Sequence, residues 1–233
     1  MGYGPHEADQ RIDRAVASGA TTLDLSNLHL TEVPLRVADL PHLRGLILDR
    51  NRIGALPAWL ADLSELTDLR VANNRLRALP EQLARHSGLS RLDIDDNYLA
   101  ELPRWLTGFG NLSQLSVGDN QFIELPEWLG ELTGLITLSI SDCRLSIVPE
   151  WLVNLTDLRA LDLDGNQLRA LPDWLADLPN LSEFLVSGNY LAELPDWLAE
   201  CHRLEKLSIG GNHLTGLPGW LGALAGLTEL RIS

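Results

Sequence analysis

The chain has 233 residues, 45% hydrophobic and 21% charged, with a formal net charge of −14. This composition suits one domain with ample apolar material and excludes a disordered or fibrous chain. The acid excess repels nucleic acid and anionic membrane and favours a basic partner. It is also uneven, because residues 1–111 hold 12 basic and 15 acidic side chains while residues 112–233 hold 6 and 17. No apolar run approaches membrane-spanning length. The opening "MGYGPHEADQ" has no apolar signal region, so nothing argues for export. His6 stands where a myristoylation signal wants Ser or Thr, which discounts Gly2. The sequons at Asn111, Asn154 and Asn180 are then expected to be chemically silent.

In chain order, the first predicted element is a helix in "EADQRIDRAVASGA", with Ile12, Ala15 and Val16 on one side and Gly19 near its stop. Residues 1–19 are expected to cap the open end of the core. From Ala20 to Gly226 run nine 23-residue units without an insertion, and a partial tenth extends from Leu227 to Ser233. Numbering each unit from its first residue, the typical copy reads LxxLxLxxNxLxxLPxWLxxLxx. The LxLxx portion alternates, so its leucines point inward and the intervening residues outward, as in a short strand. Asn follows at position 9, as Asn51, Asn74, Asn97, Asn120, Asn166, Asn189 and Asn212. A buried Asn is tolerable only when hydrogen-bonded, so this column is expected to satisfy turning backbone within and between units. Leu28 and Cys143 depart from it.

Pro at position 15 suits the first turn of a short helix or 3-10 turn. Positions 14, 17, 18 and 21 then share an apolar face, as Leu125, Trp128, Leu129 and Leu132 do. Position 17 carries Trp59, Trp105, Trp128, Trp151, Trp174, Trp197 and Trp220, with Gln82 in one slot. Each indole flanks that face and is expected to be half-buried between units, a structural ladder. The alternative is an exposed aromatic stripe that docks a partner.

So many in-register copies resemble the leucine-rich repeat family, in particular its 23-residue Ras-group type, as in intracellular scaffolds and Roco protein repeat domains. The resemblance implies an α/β right-handed βα superhelix, a leucine-rich-repeat solenoid or horseshoe. Its parallel sheet would be concave and its short 3-10 or helical turns convex. Residues 20–233 would form the repeat domain, one domain with its cap. No unit is stable alone, because its apolar burial and its ordering entropy are of similar size. The last strand, with Leu227, Leu230 and Ile232, has no visible cover. That predicts self-association through this end, or a longer parent chain.

Cys143 and Cys201 lie two units apart, roughly 10 Å along strands stacked at about 4.8 Å. A disulfide needs a shorter span, so both are expected as buried free thiols, consistent with a cytoplasmic location. Catalytic signatures are missing: there is no GxxxxGK[ST], HExxH or GxSxG. The histidines are dispersed; His86 takes a core leucine slot, where a hydrogen-bonded structural histidine is expected. The chain therefore reads as no enzyme, with no cofactor and no metal.

Function must come from outward positions 3, 5, 7, 8 and 10. Asp93, Asp95, Asp96, Asp119, Asp142, Asp162 and Asp164 are expected to converge on the middle of the sheet face. Arg50, Arg52, Arg70, Arg75 and Arg91 lie toward its N-terminal side, where pairing with Asp49 and Asp68 is the plain expectation. Tyr98, Gln121, Arg144 and Tyr190 share position 10, and Ile47 and Leu185 share position 5 with Arg70. Tyr is favoured in binding hot spots. The expected function is a non-catalytic protein-interaction scaffold whose partner carries a basic segment. The alternatives are a self-assembling structural repeat protein or the sensor arm of a larger regulatory protein.

Overall fold

A computed structural model describes residues 3–232. Met1, Gly2 and Ser233, and with them the discounted myristoylation position, lie outside the described residues. The chain divides into two compact units, Met1–Ile123 and Glu124–Ser233. No helix among the described residues is long and apolar enough to cross a membrane.

The first unit opens with helix α1 (Tyr3–Ser18), followed by strands β1 (Thr22–Asp24), β2 (Gly45–Ile47), β3 (Asp68–Arg70), β4 (Arg91–Asp93) and β5 (Gln114–Ser116). The second contains β6 (Thr137–Ser139), β7 (Ala160–Asp162), β8 (Glu183–Leu185), β9 (Lys206–Ser208) and β10 (Glu229–Arg231). Within each unit neighbouring strands pair parallel in chain order, with every residue opposite its equivalent one repeat later, as Leu46 is to Leu69 and Leu161 to Phe184. This register follows from the alternation: a slip of one residue would turn every inward leucine to solvent. Leu46, Leu48, Leu69 and Val71, like Leu161, Leu163, Phe184 and Val186, are fully buried. The expected parallel leucine-rich-repeat solenoid architecture is therefore present in each unit.

The return segments are five-residue 3-10 turns, such as Ala58–Asp62 and Asp173–Asp177. Proline does not lie inside the first turn, as the sequence suggested, but immediately before it in an extended conformation. There its carbonyl accepts the first bond, Leu60 N to Pro57 O at 3.1 Å. Six of the seven indoles are half-buried and Trp151 is only 8% exposed, which is the ladder placement and not the exposed stripe. Trp105 packs at a tilt against Phe109, ring centroids 5.5 Å apart, and Trp197 against Phe184 at 6.5 Å.

Helix α1 buries Ala8, Ile12 and Ala15 and packs on β1 and the turn Leu35–Asp39. Val16, expected on the buried side, is 48% exposed. Each fourth residue drifts about 40° around a 3.6-residue helix, so a contact centred between Ala8 and Ala15 has Val16 beyond its edge. The helix stops at Gly19, whose φ of +65° and bonds Gly19 N to Val16 O and Ala20 N to Ala15 O form a Schellman cap.

The Asn column meets its expected role. Asn97 is 3% exposed. Its Nδ2 donates to the carbonyls of Ile94 in its own coil and Val71 in the preceding one, and its Oδ1 accepts Leu76 N at 2.9 Å. Where position 9 is not Asn, the next Asn compensates: Asn51 Oδ1 accepts both Leu28 N and Leu30 N, and Asn166 Oδ1 both Cys143 N and Leu145 N. These two exceptional coils are also those in which position 10, His29 and Arg144, takes a positive φ. His86 is 2% exposed and its Nε2 donates to Leu60 O at 2.7 Å, the structural role expected. Cys143 and Cys201 form no disulfide, as expected, but both are only partly buried, so the expectation of burial fails. Burial pushes the Cys201 thiol up, with Glu200 adding to it.

Replacing Asn97 by Ala strips partners from a buried N–H and two buried carbonyls. It should lower unfolding free energy by about 2–4 kcal/mol in urea denaturation with little change in m-value. A loss below about 1 kcal/mol would show that the column is not what ties the coils together.

Candidate interaction surface

The outward positions form columns along each unit, and their residue types follow first from backbone geometry. Position 8 is left-handed throughout, from Asn27 at φ 60° to Asp119 at 43°, Asp142 at 51° and Gly188 at 66°. Asn, Asp and Gly tolerate that region best, so Asp96, Asp119 and Asp142 stand where the turn asks for such a residue. A Cβ on Gly165 would also run into the Asp142 carboxylate.

The acids of positions 5 and 7 have a second local duty. The position-5 carboxylates accept the N–H two residues on: Asp24 from Ser26 at 2.8 Å, Asp93 from Asp95 at 3.3 Å and Asp162 from Asp164 at 2.9 Å. The position-7 carboxylates reach across to the next coil: Asp49 to Ala72 N at 2.9 Å, Asp95 to Gly118 N at 2.6 Å and Asp164 to Ser187 N at 2.5 Å. One oxygen of each thus pairs a backbone donor outside the ladder. In Asp162 the second oxygen accepts Ser139 Oγ at 3.1 Å.

The seven predicted aspartates divide between the units. Asp93, Asp95, Asp96 and Asp119 are together on the first, alongside Arg70, Ile47, Tyr98 and Gln121. Asp142, Asp162 and Asp164 are on the second, alongside Arg144, Leu185 and Tyr190. None is sunk in the core. Tyr98 and Tyr190 are each 45% exposed, while Ile47 and Leu185 are half-buried. Tyr190 packs at a tilt against His213, ring centroids 5.4 Å apart, a pairing that shared column position could have announced.

Pairing of the arginines holds for some and fails for others. Arg70 grips Asp68 at 2.7 Å, and Arg91 lies 3.8 Å from Asp68 and 3.9 Å from Asp93. Arg50, Arg52 and Arg75, and Arg77 beside them, are exposed and make no side-chain hydrogen bond or ion pair among the described residues. Arg77 was not singled out by its sequence; its spacing of two from Arg75 in the same coil was the available signal.

Burial raises the carboxyls of Asp49, Asp93 and Asp96, against the opposing pull of hydrogen bonds to Ala72 N, Asp95 N and the Asn73 amide. Asp164 is pushed up to about 6, first by burial and then by the neighbouring charges of Asp162 and Asp142, with Ser187 N–H and Arg231 pulling the other way. Among the described residues no group of three or more His, Cys, Asp and Glu is arranged to hold a metal ion.

Because Asp164 binds its proton more tightly folded than unfolded, its contribution favours the native state at low pH and is lost as pH rises through about 6. Asp164→Asn keeps a carbonyl oxygen for Ser187 N–H and removes the charge. It should stabilise the chain at pH 7.5 by about 1 kcal/mol, the shift being discounted for partial exposure, and by much less at pH 4. Denaturation of both proteins across that range checks it, and a difference independent of pH would contradict it.

Residues 66–233 match the leucine-rich repeat region family, and residues 18–76 match the leucine rich repeat family. No curated protein matches the chain at a significant level. Among solved structures, a leucine-rich-repeat protein of Leptospira interrogans is similar over 95% of this chain and 63% of its own, at 26% identity and a TM-score of 0.77. The PEPR1–AtPEP1 complex is similar over 93% of this chain and 39% of its own, at 26% identity and 0.63. The Arabidopsis receptor kinase HAESA, solved with the peptide hormone IDA and the co-receptor SERK1, covers 93% of this chain and 46% of its own, at 24% identity and 0.71. The chain spans less than two thirds of each of these. With ten short parallel strands, 3-10 returns and family matches running from residue 18 to 233, the chain belongs to the leucine-rich repeat family.

Proposed function

We propose that the chain is a non-catalytic interaction module that binds a protein partner on its strand-bearing face, the concave one in the family's architecture. Proteins of this family generally act through protein–protein contact and not through catalysis. The 23-residue unit length supports the Ras-group type. The observation that carries the reading is the contrast between the two sides of each strand. Inside, the Asn column pairs the turning backbone; outside, Asp96, Asp119 and Tyr98 project at fixed columns with the aspartates held by left-handed turns. Side chains held this way lose little freedom on binding, so weak contacts can add up.

The partner of this face is a segment bearing Lys or Arg. Asp119 makes no side-chain hydrogen bond among the described residues, and Asp96 bonds only the Asn73 amide, so both carboxylates stay available to an incoming cation. Tyr98 lies two residues beyond Asp96 and supplies apolar area at the same place. A rival reading, self-assembly through β10, draws on the exposure of Leu217, Leu230 and Ile232. Sedimentation over a wide concentration range distinguishes it, since the interaction-module reading expects no change in mass.

Arg50 shows that this column admits an arginine at positive φ, so Asp96→Arg with Asp119→Arg should still fold, at some cost in stability that a melting curve reads. By fluorescence anisotropy, a labelled peptide of alternating Lys and Ser should bind the wild type at low salt. The double variant should bind it about tenfold more weakly, as two reversed surface charges imply. Equal affinity for both would remove the acidic face as the site.

A further inference from the structure

We propose a second docking surface on the first unit: Arg50, Arg52, Arg75 and Arg77 receive an acidic protein segment, independently of the aspartate columns. The four are exposed, and their side chains have no partner among the described residues. In the same unit Arg11, Arg14, Arg36, Arg44, Arg70 and Arg91 each pair with a carboxylate. The chain holds 32 acidic side chains against 18 basic ones, so carboxylates are in plentiful supply. Arg50, Arg52, Arg75 and Arg77 find none, and the remaining arginine of this kind in the unit, Arg85, lies on the return turn Glu81–Arg85 and not beside them.

Their placement is regular. Arg52 N donates to Leu30 O at 2.7 Å, Arg75 N to Ile53 O at 2.9 Å and Tyr98 N to Leu76 O at 2.8 Å, so Arg52, Arg75 and Tyr98 occupy successive rungs of one column. Rungs of a parallel stack are about 4.8 Å apart. Arg50 lies two residues before Arg52, and Arg77 two after Arg75, which widens the pair into a cationic strip ending at an exposed tyrosine. Arg50 adds a second observation. It sits at φ 56° in a column otherwise filled by Asn, Asp and Gly, a conformation unfavourable for a long side chain, and no side-chain hydrogen bond or ion pair compensates it.

The chemistry selects the occupant. Guanidinium groups take carboxylates two bonds at a time and are weakly hydrated, so a row of them suits a segment carrying several Asp or Glu. A long polyanion would feel the chain's net charge of −14 as repulsion. A short acidic segment senses charge only within about 8 Å at physiological salt, so the adjacent arginines weigh on it more than the distant acids of the chain do.

The test uses the full chain and a labelled peptide of alternating Glu and Ser, followed by anisotropy at low salt. Wild type should bind it, and Arg52→Glu with Arg75→Glu, or Arg50→Glu with Arg77→Glu, should weaken binding about tenfold or more. Arg169→Glu, at an exposed and unpaired arginine of the second unit, should change it less than about twofold. The neutral Arg52→Gln with Arg75→Gln should retain the wild-type melting temperature and show an intermediate loss, which separates a binding defect from misfolding. Affinity for the Lys–Ser peptide should not fall in any arginine variant, so this surface and the acidic one stand or fall separately. Absence of Glu–Ser binding, an equal loss with Arg169→Glu, or equally tight binding of an oligothymidine of matching charge would overturn the proposal.

Discussion

A chain that turns back on itself once per repeat must find partners for the backbone groups its strands leave behind. Here that constraint is met by one side chain in each of seven coils, with Leu28 and Cys143 in the other two full ones. Each buried Asn offers an amide to carbonyls of its own coil and the preceding one and takes an N–H from the preceding one, as Asn74 does with Val71, Leu48 and Ile53. An amide is suited to this because it is donor and acceptor at once and carries no charge to desolvate. Leucine packing fills the space, but the Asn column fixes the register in which it is filled.

The same constraint reaches the surface. Once the strand ends, its next N–H has no place in the ladder, and a carboxylate two residues back or one coil before takes it. The following residue then swings into the left-handed region. Three outward positions are thereby biased toward Asp, Asn, Gly and Ser before any partner is considered. An acidic face on such a scaffold is partly a consequence of how the chain turns. Arg50 departs from that bias, a long side chain at a left-handed turn, while Tyr98 and Tyr190 stand exposed at position 10, outside it.

Charge is divided along the same lines. Asp164, partly buried and then crowded by Asp162 and Asp142, is pushed up to about 6, whereas Arg70 and Arg91 share Asp68 and Asp93 between them. Acidic side chains in the second unit work against one another, and those in the first are partly answered by arginine.

Periodicity alone determined the strands, the inward leucines, the Asn ladder and the half-buried tryptophans, because each is set by spacing inside one repeat and recurs until chance is excluded. The role of His86 was legible for the same reason: a core slot admits a histidine only with a partner. Val16 was misjudged because a helix face is settled by the contact it meets, and the two cysteines because burial depends on how closely neighbouring coils pack. At the surface, residue types were readable but their duties were not. Whether an Asp is free or bonded to a backbone N–H, and whether an Arg finds an acid within reach, depends on turn dihedrals and on neighbours a whole repeat away. Only the tertiary structure decides those, since hydrogen bonds and ion pairs require ångström geometry that a one-dimensional pattern does not contain.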